Sequence, residues 1–244
     1  ALSASLLVGC SSGTASSVPV SASSAAESTV SSVEETASSA VDENEAAAAQ
    51  LLNDLTGSYQ ELWPVILADE YKQTWLDDCT ALVGEENAEA AFEKLSSMVT
   101  SDVYGEDAVE AYANGGGAYF CGFTNSLATL TFDGETSTIS GTDKDGNVLF
   151  SHTYHYIGME PVHGLYEFES DDADSGEFTY FFLAPDTSAE TYHIEFRYGS
   201  DAEALSQYDA GEYAYWVASG ISTDCDQTMI DNCIELFCTE NLAG

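Results

Sequence analysis

Residues 127–156 read LATLTFDGETSTISGTDKDGNVLFSHTYHY, and this stretch sets the pattern of the folded domain. Runs rich in β-branched and aromatic residues alternate in it with short breaks that contain Asp-Gly or Gly-Asn. Such pairs are typical of tight turns between antiparallel strands. The stretch therefore predicts three consecutive strands: Leu127–Phe132, Thr136–Ser140 and Val148–Tyr156.

Four further β-rich runs lie on either side of this stretch: Ala118–Phe123, Gly164–Glu169, Phe178–Leu183 and Tyr192–Tyr198. Seven short strands at close spacing predict an antiparallel sheet that closes as a barrel or a sandwich. Apolar residues have helical spacing in five other segments: Ala47–Leu55, Ala81–Thr100, Glu106–Ala113, Ala202–Gln207 and Asp224–Glu240. The predicted fold class is therefore mainly β, with an N-terminal helical segment and a C-terminal helix.

The charge balance excludes several classes of partner. The chain has 43 acidic and four basic side chains, which gives a formal net charge of −39. Nucleic acids and anionic lipid head groups need clustered Lys or Arg, and here the four basic residues are scattered singly. A strongly negative surface instead raises the local concentration of cations.

The first 46 residues have the composition of an export signal and a tether. Residues 1–10 form a short apolar run that reads as the end of a signal peptide, and Leu7-Val8-Gly9-Cys10 resembles the bacterial lipobox, whose Cys is lipidated. Residues 11–46 are rich in Ser, Ala and Glu and lack the large apolar side chains of a core. We therefore expect a domain at 47–244, anchored outside the cytosol to a bacterial cell membrane through a lipid on Cys10. The alternative is a chance apolar stretch with an ordinary cysteine.

The cysteines agree with an exported protein. Five remain besides Cys10, and an oxidising setting favours two disulfides and one thiol, in a pairing that the sequence does not assign. There is no C-x-x-C motif, so the signal of a thioredoxin-like protein or a zinc ribbon is missing.

The chain has no G-x-S-x-G, H-E-x-x-H, P-loop or G-x-G-x-x-G motif, so an enzyme is not expected. Its four histidines remain as candidate functional residues. His152 and His155 are three residues apart on a predicted strand, so their side chains must point to opposite faces. His163 follows Pro161 in a predicted loop, where we expect a surface position. His193 and Glu195 are two apart and share one face. From spacing alone, a metal site and an exposed polar strand face fit this pair equally well.

The surroundings of His193 resemble a known family. Tyr192–Gly199, followed by Asp201, is similar to the His-x-His strand of the ZinT family of bacterial zinc-binding proteins, and Gly57–Pro64 is similar to the opening of that family's domain. Further similarity lies in Gly164–Ser170 with Phe178-Thr179-Tyr180, and in Tyr213–Ile221. The resemblance extends from about Gly57 to the C-terminus. It implies a lipocalin-like barrel that captures zinc for delivery to an importer.

The ligand set departs from the family pattern of three histidines. His193 matches the second ligand, Glu195 replaces the third, and Asp186 stands near the first. The resemblance therefore implies zinc, or another divalent cation, held by His193, Glu195 and Asp186, because carboxylates are also metal ligands. Arg197 shares the face of Glu195, and the spacing leaves open whether it binds Glu195 or a neighbouring carboxylate. The alternative function is a barrel that has lost the metal and binds a small apolar ligand or acts as a surface interaction domain.

Overall fold

A closed β-barrel forms the centre of the molecule. The computed structural model describes residues 43–184 and 193–243. Within these residues eight antiparallel strands follow one another around the barrel in chain order, and β1 closes it by pairing with β8. The strands are β1 (Gly57–Glu61), β2 (Thr129–Asp133), β3 (Thr138–Thr142), β4 (Val148–Met159), β5 (Tyr166–Ser170), β6 (Tyr180–Leu183), β7 (His193–Gly199) and β8 (Ala218–Ser222). The predicted antiparallel barrel is confirmed.

Helices precede the barrel, interrupt it between β1 and β2, and follow it. They are α1 (43–54), α2 (Leu62–Ile66), α3 (Lys72–Val83), α4 (Glu85–Ser97), α5 (Glu106–Ala113), α6 (Ala202–Leu205) and α7 (Gln227–Leu242). Single 3-10 turns occur at Asp69–Tyr71 and Gly176–Phe178. The helices α3, α4 and α7 pack against one another and form a helical layer on one side of the barrel. None of the helices in the described residues is both long and apolar enough to span a bilayer.

The element predictions were wrong in three places. Ala118–Phe123 is not a strand, because Tyr119 donates its N–H to Met98 and Phe120 forms only an isolated bridge to Trp216. The strands β1 and β8 were missed, since their sequences GSYQE and ASGIS have few β-branched residues. The helix predicted over Ala81–Thr100 divides at Gly84, whose φ of 83° ends α3 and separates it from α4.

The first helix also begins earlier than the predicted domain. Residues 43–46 fall in the predicted tether 11–46, but they are already helical. Ala48, Leu51 and Leu52 on this helix are buried against the barrel core. The rest of the predicted tether and the segment 1–10 lie outside the described residues, and their assignment stays a prediction.

Two separate apolar clusters stabilise the fold. The first fills the barrel, where the ring of Phe181 on β6 lies 5.9 Å from that of Phe150 and 5.4 Å from that of Tyr154, both on β4. Because β5 separates these strands, such contacts cross the barrel interior. The second cluster is the helical layer against the outer face of β8, and its buried members include Trp63, Trp75, Cys79, Leu95, Ile221, Cys233, Phe237 and Cys238.

Candidate metal site

Strand β7 is buried on both of its faces. Ile194, Phe196 and Tyr198 belong to the cluster inside the barrel. The alternate residues must point outward, yet His193 is only 6% exposed and Glu195 only 3%. The helical layer covers this outer face, so the sequence-based alternative of a solvent-exposed polar strand face is wrong.

His193 and Glu195 lie side by side on this covered face. In the register of β7 and β8, His193 is opposite Ile221 and Glu195 is opposite Ser219. The ring of Phe237 on α7 lies 5.7 Å from the His193 ring at 65°. Burial lowers the pKa of His193 to about 4, so its imidazole is neutral at physiological pH.

Two thiols that the sequence did not connect with Glu195 lie near it. Burial raises the pKa of Cys121, and the charge of Glu195 raises it further. The pKa of Cys233 on α7 is raised by the same two causes. These residues are far apart in the sequence, and no local motif could have indicated that the fold brings them to the same place.

The described residues supply two of the three predicted metal ligands. Asp186 lies outside them, so its position relative to His193 and Glu195 stays a prediction. Within 43–184 and 193–243, no three His, Cys, Asp or Glu side chains are placed to hold one metal ion. Cys10, the predicted lipidation site, also lies outside these ranges.

Arg197 binds backbone carbonyls, which differs from both alternatives that the sequence left open. Its guanidinium donates hydrogen bonds to the carbonyl oxygens of Leu205, Gln207 and Tyr213. It also stacks 4.2 Å above the ring of Tyr208. Because the C-terminal carbonyls of a helix lack partners within it, Arg197 acts as a cap for α6 and fixes the following segment to the barrel.

His152 and His155 lie on β4, which does not neighbour β7 in the barrel. The Nδ1 atom of His152 is 2.7 Å from Asp172 Oδ2, and that of His155 is 2.7 Å from Asp171 Oδ1. His152 is on the more buried face of β4 and His155 on the exposed face, which confirms that they point to opposite sides.

His163 is less exposed than its loop position suggests. Its side chain is 26% exposed and its ring lies 3.9 Å from that of Tyr208. Burial lowers the pKa of His163, although Glu160 opposes this effect. His163 therefore lies at the surface but is partly buried.

The two predicted disulfides are not confirmed. In the described part of the chain, Cys79, Cys121, Cys225, Cys233 and Cys238 are all thiols, and four of them are buried. Each belongs to the helical layer or packs against it.

The structure is similar to the Zn(II)-bound ZinT-like domain of Streptococcus pneumoniae AdcA, with a TM-score of 0.48, 16% identity, and coverage of 75% of this chain and 89% of that one. It is also similar to Zn(II)-bound AdcA from Streptococcus pneumoniae, with a TM-score of 0.45, 14% identity, and coverage of 77% of this chain and 35% of that one. No protein-family model and no curated protein matches the chain.

Proposed function

We propose that this protein binds a divalent metal ion, zinc first, at the outer face of β7. The observation that carries the proposal is the placement of His193 and Glu195 on the same side of one strand, both buried beneath the helical layer. An imidazole and a carboxylate two residues apart on a strand can contact one ion. The low pKa of His193 supports the same proposal, because the neutral imidazole is the form that binds metal.

The roles of the residues follow from their chemistry. His193 would bind through a neutral ring nitrogen, Glu195 and Asp186 would supply negative charge, and water would complete the ligand shell. No covalent bond is made or broken, so this is capture and not catalysis. Two carboxylates among three protein ligands lower the discrimination against manganese, magnesium and calcium.

We further propose that the protein works as an extracytoplasmic lipoprotein that delivers the metal to an importer. The lipobox-like tetrapeptide ending in Cys10 and the resemblance to the ZinT family support this role. Expressed behind an export signal in a bacterial host, the wild type should be recovered with the membranes and Cys10→Ala in the medium. Retention of Cys10→Ala on the membrane would contradict lipid anchoring.

The barrel interior does not favour the alternative of a small apolar ligand. Aromatic side chains occupy it: the rings of Phe150 and Phe178 stack at 4.0 Å, and those of Phe181 and Tyr198 lie 5.3 Å apart. A ligand would have to displace these rings.

The metal proposal is tested by thermal unfolding with and without zinc. A ligand that binds only the folded state at a hundredfold excess over Kd adds about 2.7 kcal/mol, which should raise Tm by several degrees. His193→Ala, Glu195→Gln and Asp186→Asn should each remove most of this rise. His152→Ala is the control, since it removes a different imidazole, one that lies 2.7 Å from the Asp172 carboxylate, and it should keep the full rise.

Elemental analysis after dialysis separates loss of binding from loss of folding. We expect about one zinc per wild-type chain and much less in the three ligand variants. Should the wild type bind no zinc at neutral pH, the metal proposal fails. Should Cys121→Ala or Cys233→Ala remove the bound zinc while Glu195→Gln keeps it, thiols and not the pair on β7 would be the ligands.

A further inference from the structure

Two thiols from opposite ends of the domain meet inside the helical layer. Cys79 lies on α3 and Cys238 on α7, and both are fully buried. Their Sγ atoms are 3.9 Å apart, close enough for one thiol to donate to the other. The two helices pack directly against each other, so this contact belongs to the core of the layer.

The distance is close to that of a bonded pair. A disulfide needs an S–S separation of about 2.05 Å, so the two sulfur atoms must approach by only about 2 Å. Rotation of cysteine side chains about the Cα–Cβ bond can supply movement of this size. The residues are 159 positions apart in the sequence, and the chain between them includes β2 to β8.

We propose that Cys79 and Cys238 form a disulfide when the chain folds in an oxidising environment. The sequence predicted disulfides without assigning any pair, and this contact assigns one. The proposal does not depend on metal binding, because neither residue is among the proposed ligands.

The reaction is an exchange with an external disulfide, for which oxidised glutathione is the simplest example. One cysteine thiolate attacks the glutathione disulfide, forms a mixed disulfide and releases a glutathione thiolate. The second cysteine thiolate attacks the cysteine sulfur of the mixed disulfide and releases the other glutathione. Two cysteine thiols are thereby oxidised, one glutathione disulfide is reduced, and the two protons pass to the released glutathiones.

The exchange must take place before the helical layer closes. Burial raises the pKa of both Cys79 and Cys238, so few thiolates form in the folded state. Burial also keeps an external disulfide away. Refolding in an oxidising buffer should therefore join the pair, whereas the folded, reduced protein should react slowly with the same buffer.

The bond would fasten the part of α7 that covers the candidate metal site. Phe237, whose ring contacts that of His193, immediately precedes Cys238. A link to α3 would therefore hold this turn of α7 against the outer face of β7.

The test is a disulfide map of the refolded chain. The full chain with Cys10→Ala is refolded in oxidised and reduced glutathione, alkylated and cleaved after glutamate. This cleavage places Cys79 in peptide 71–85 and Cys238 in 236–240, apart from Cys121 in 111–135 and from Cys225 and Cys233 in 213–235. We expect a linked 71–85 and 236–240 pair, lost on reduction.

Variants keep the test decisive. Cys79→Ala and Cys238→Ala should each abolish the linked pair, while Cys233→Ala, which removes another buried thiol of α7, should retain it. The oxidised wild type should unfold several degrees above the reduced wild type, and Cys79→Ala should show no such difference. The proposal is overturned if folded protein has both thiols alkylated, or if either cysteine is linked to a different partner.

Discussion

The two faces of β7 show how one strand can serve two different environments. Its inner face contributes Ile194, Phe196 and Tyr198 to a barrel interior made of apolar and aromatic side chains. Its outer face carries His193, Glu195 and Arg197, which are equally buried but polar. A small barrel with a filled interior has little room for a binding site there.

Residues on the outer face of β7 are therefore buried without being apolar. The helical layer covers the outer face and excludes water, so a neutral imidazole, a carboxylate and thiols can lie together there. Such a group is costly to bury unless each polar atom has a partner, and buried polar groups of this kind are frequently functional. The inner face should therefore stabilise the protein through packing, and the outer face through charge and hydrogen bonds.

The largest expected effect is on the inner face. Phe181 is fully buried and its ring contacts those of Phe150, Phe196 and Tyr198. Phe181→Ala should lower the free energy of unfolding by about 3–5 kcal/mol, because it leaves a cavity in a closed barrel. Urea denaturation measures this change. Val148→Ala, at a position 70% exposed, should change it by less than about 0.5 kcal/mol.

The second effect tests the outer face through pH. The imidazole of His193 has an ordinary pKa of 6.5 when unfolded and a pKa of about 4 when folded. Between these values the unfolded state binds more protons, so stability falls as the pH decreases from 6.5 to 4, by about 3 kcal/mol in all. His193→Gln should lack this contribution.

The measurement for His193 is the difference in unfolding free energy between wild type and His193→Gln at several pH values. This difference cancels the pH-dependent contribution of the carboxylates that both proteins share. A difference that stays constant from pH 7 to about pH 4 would show that His193 is not held neutral by its surroundings.

The third effect concerns the hydrogen bonds of Arg197. Arg197→Met keeps most of the side-chain volume but leaves the carbonyls of Leu205 and Tyr213 without their donor. We expect a loss of about 2 kcal/mol in chemical denaturation, because buried acceptors without partners are destabilising. Lys144→Met removes an exposed charge and should have almost no effect. An unchanged or raised stability in Arg197→Met would mean that burying the guanidinium costs as much as its bonds contribute.

The smallest effect is on the helix that covers the outer face. The side chain of Asp226 accepts a hydrogen bond of 3.0 Å from the N–H of Met229 and caps the start of α7. Asp226→Ala should destabilise the protein by about 1 kcal/mol. Asp224→Ala, at an exposed neighbouring position, is the control. Equal losses in both variants would argue against the cap.

The sequence was most informative where one side of a strand faces solvent. β4 alternates clearly between buried and exposed residues, and its predicted start at Val148 agrees with the structure. The helix Glu106–Ala113 was predicted with its observed bounds. The prediction failed for β1 and β8, because short segments with Gly, Ser and Gln form strands only when neighbouring strands supply hydrogen-bond partners.

For the candidate site, the sequence alone determined that His193 and Glu195 share one face, since side chains of a strand alternate with a period of two residues. That period does not say whether the shared face meets solvent, the barrel interior or another layer. The environment of this face depends on tertiary packing, because α7 lies against the outside of β7 and β8. The same packing brought Cys121 and Cys233 near Glu195, and Cys79 within 3.9 Å of Cys238. Contacts between residues so distant in sequence arise from the arrangement of whole elements, which no local pattern encodes.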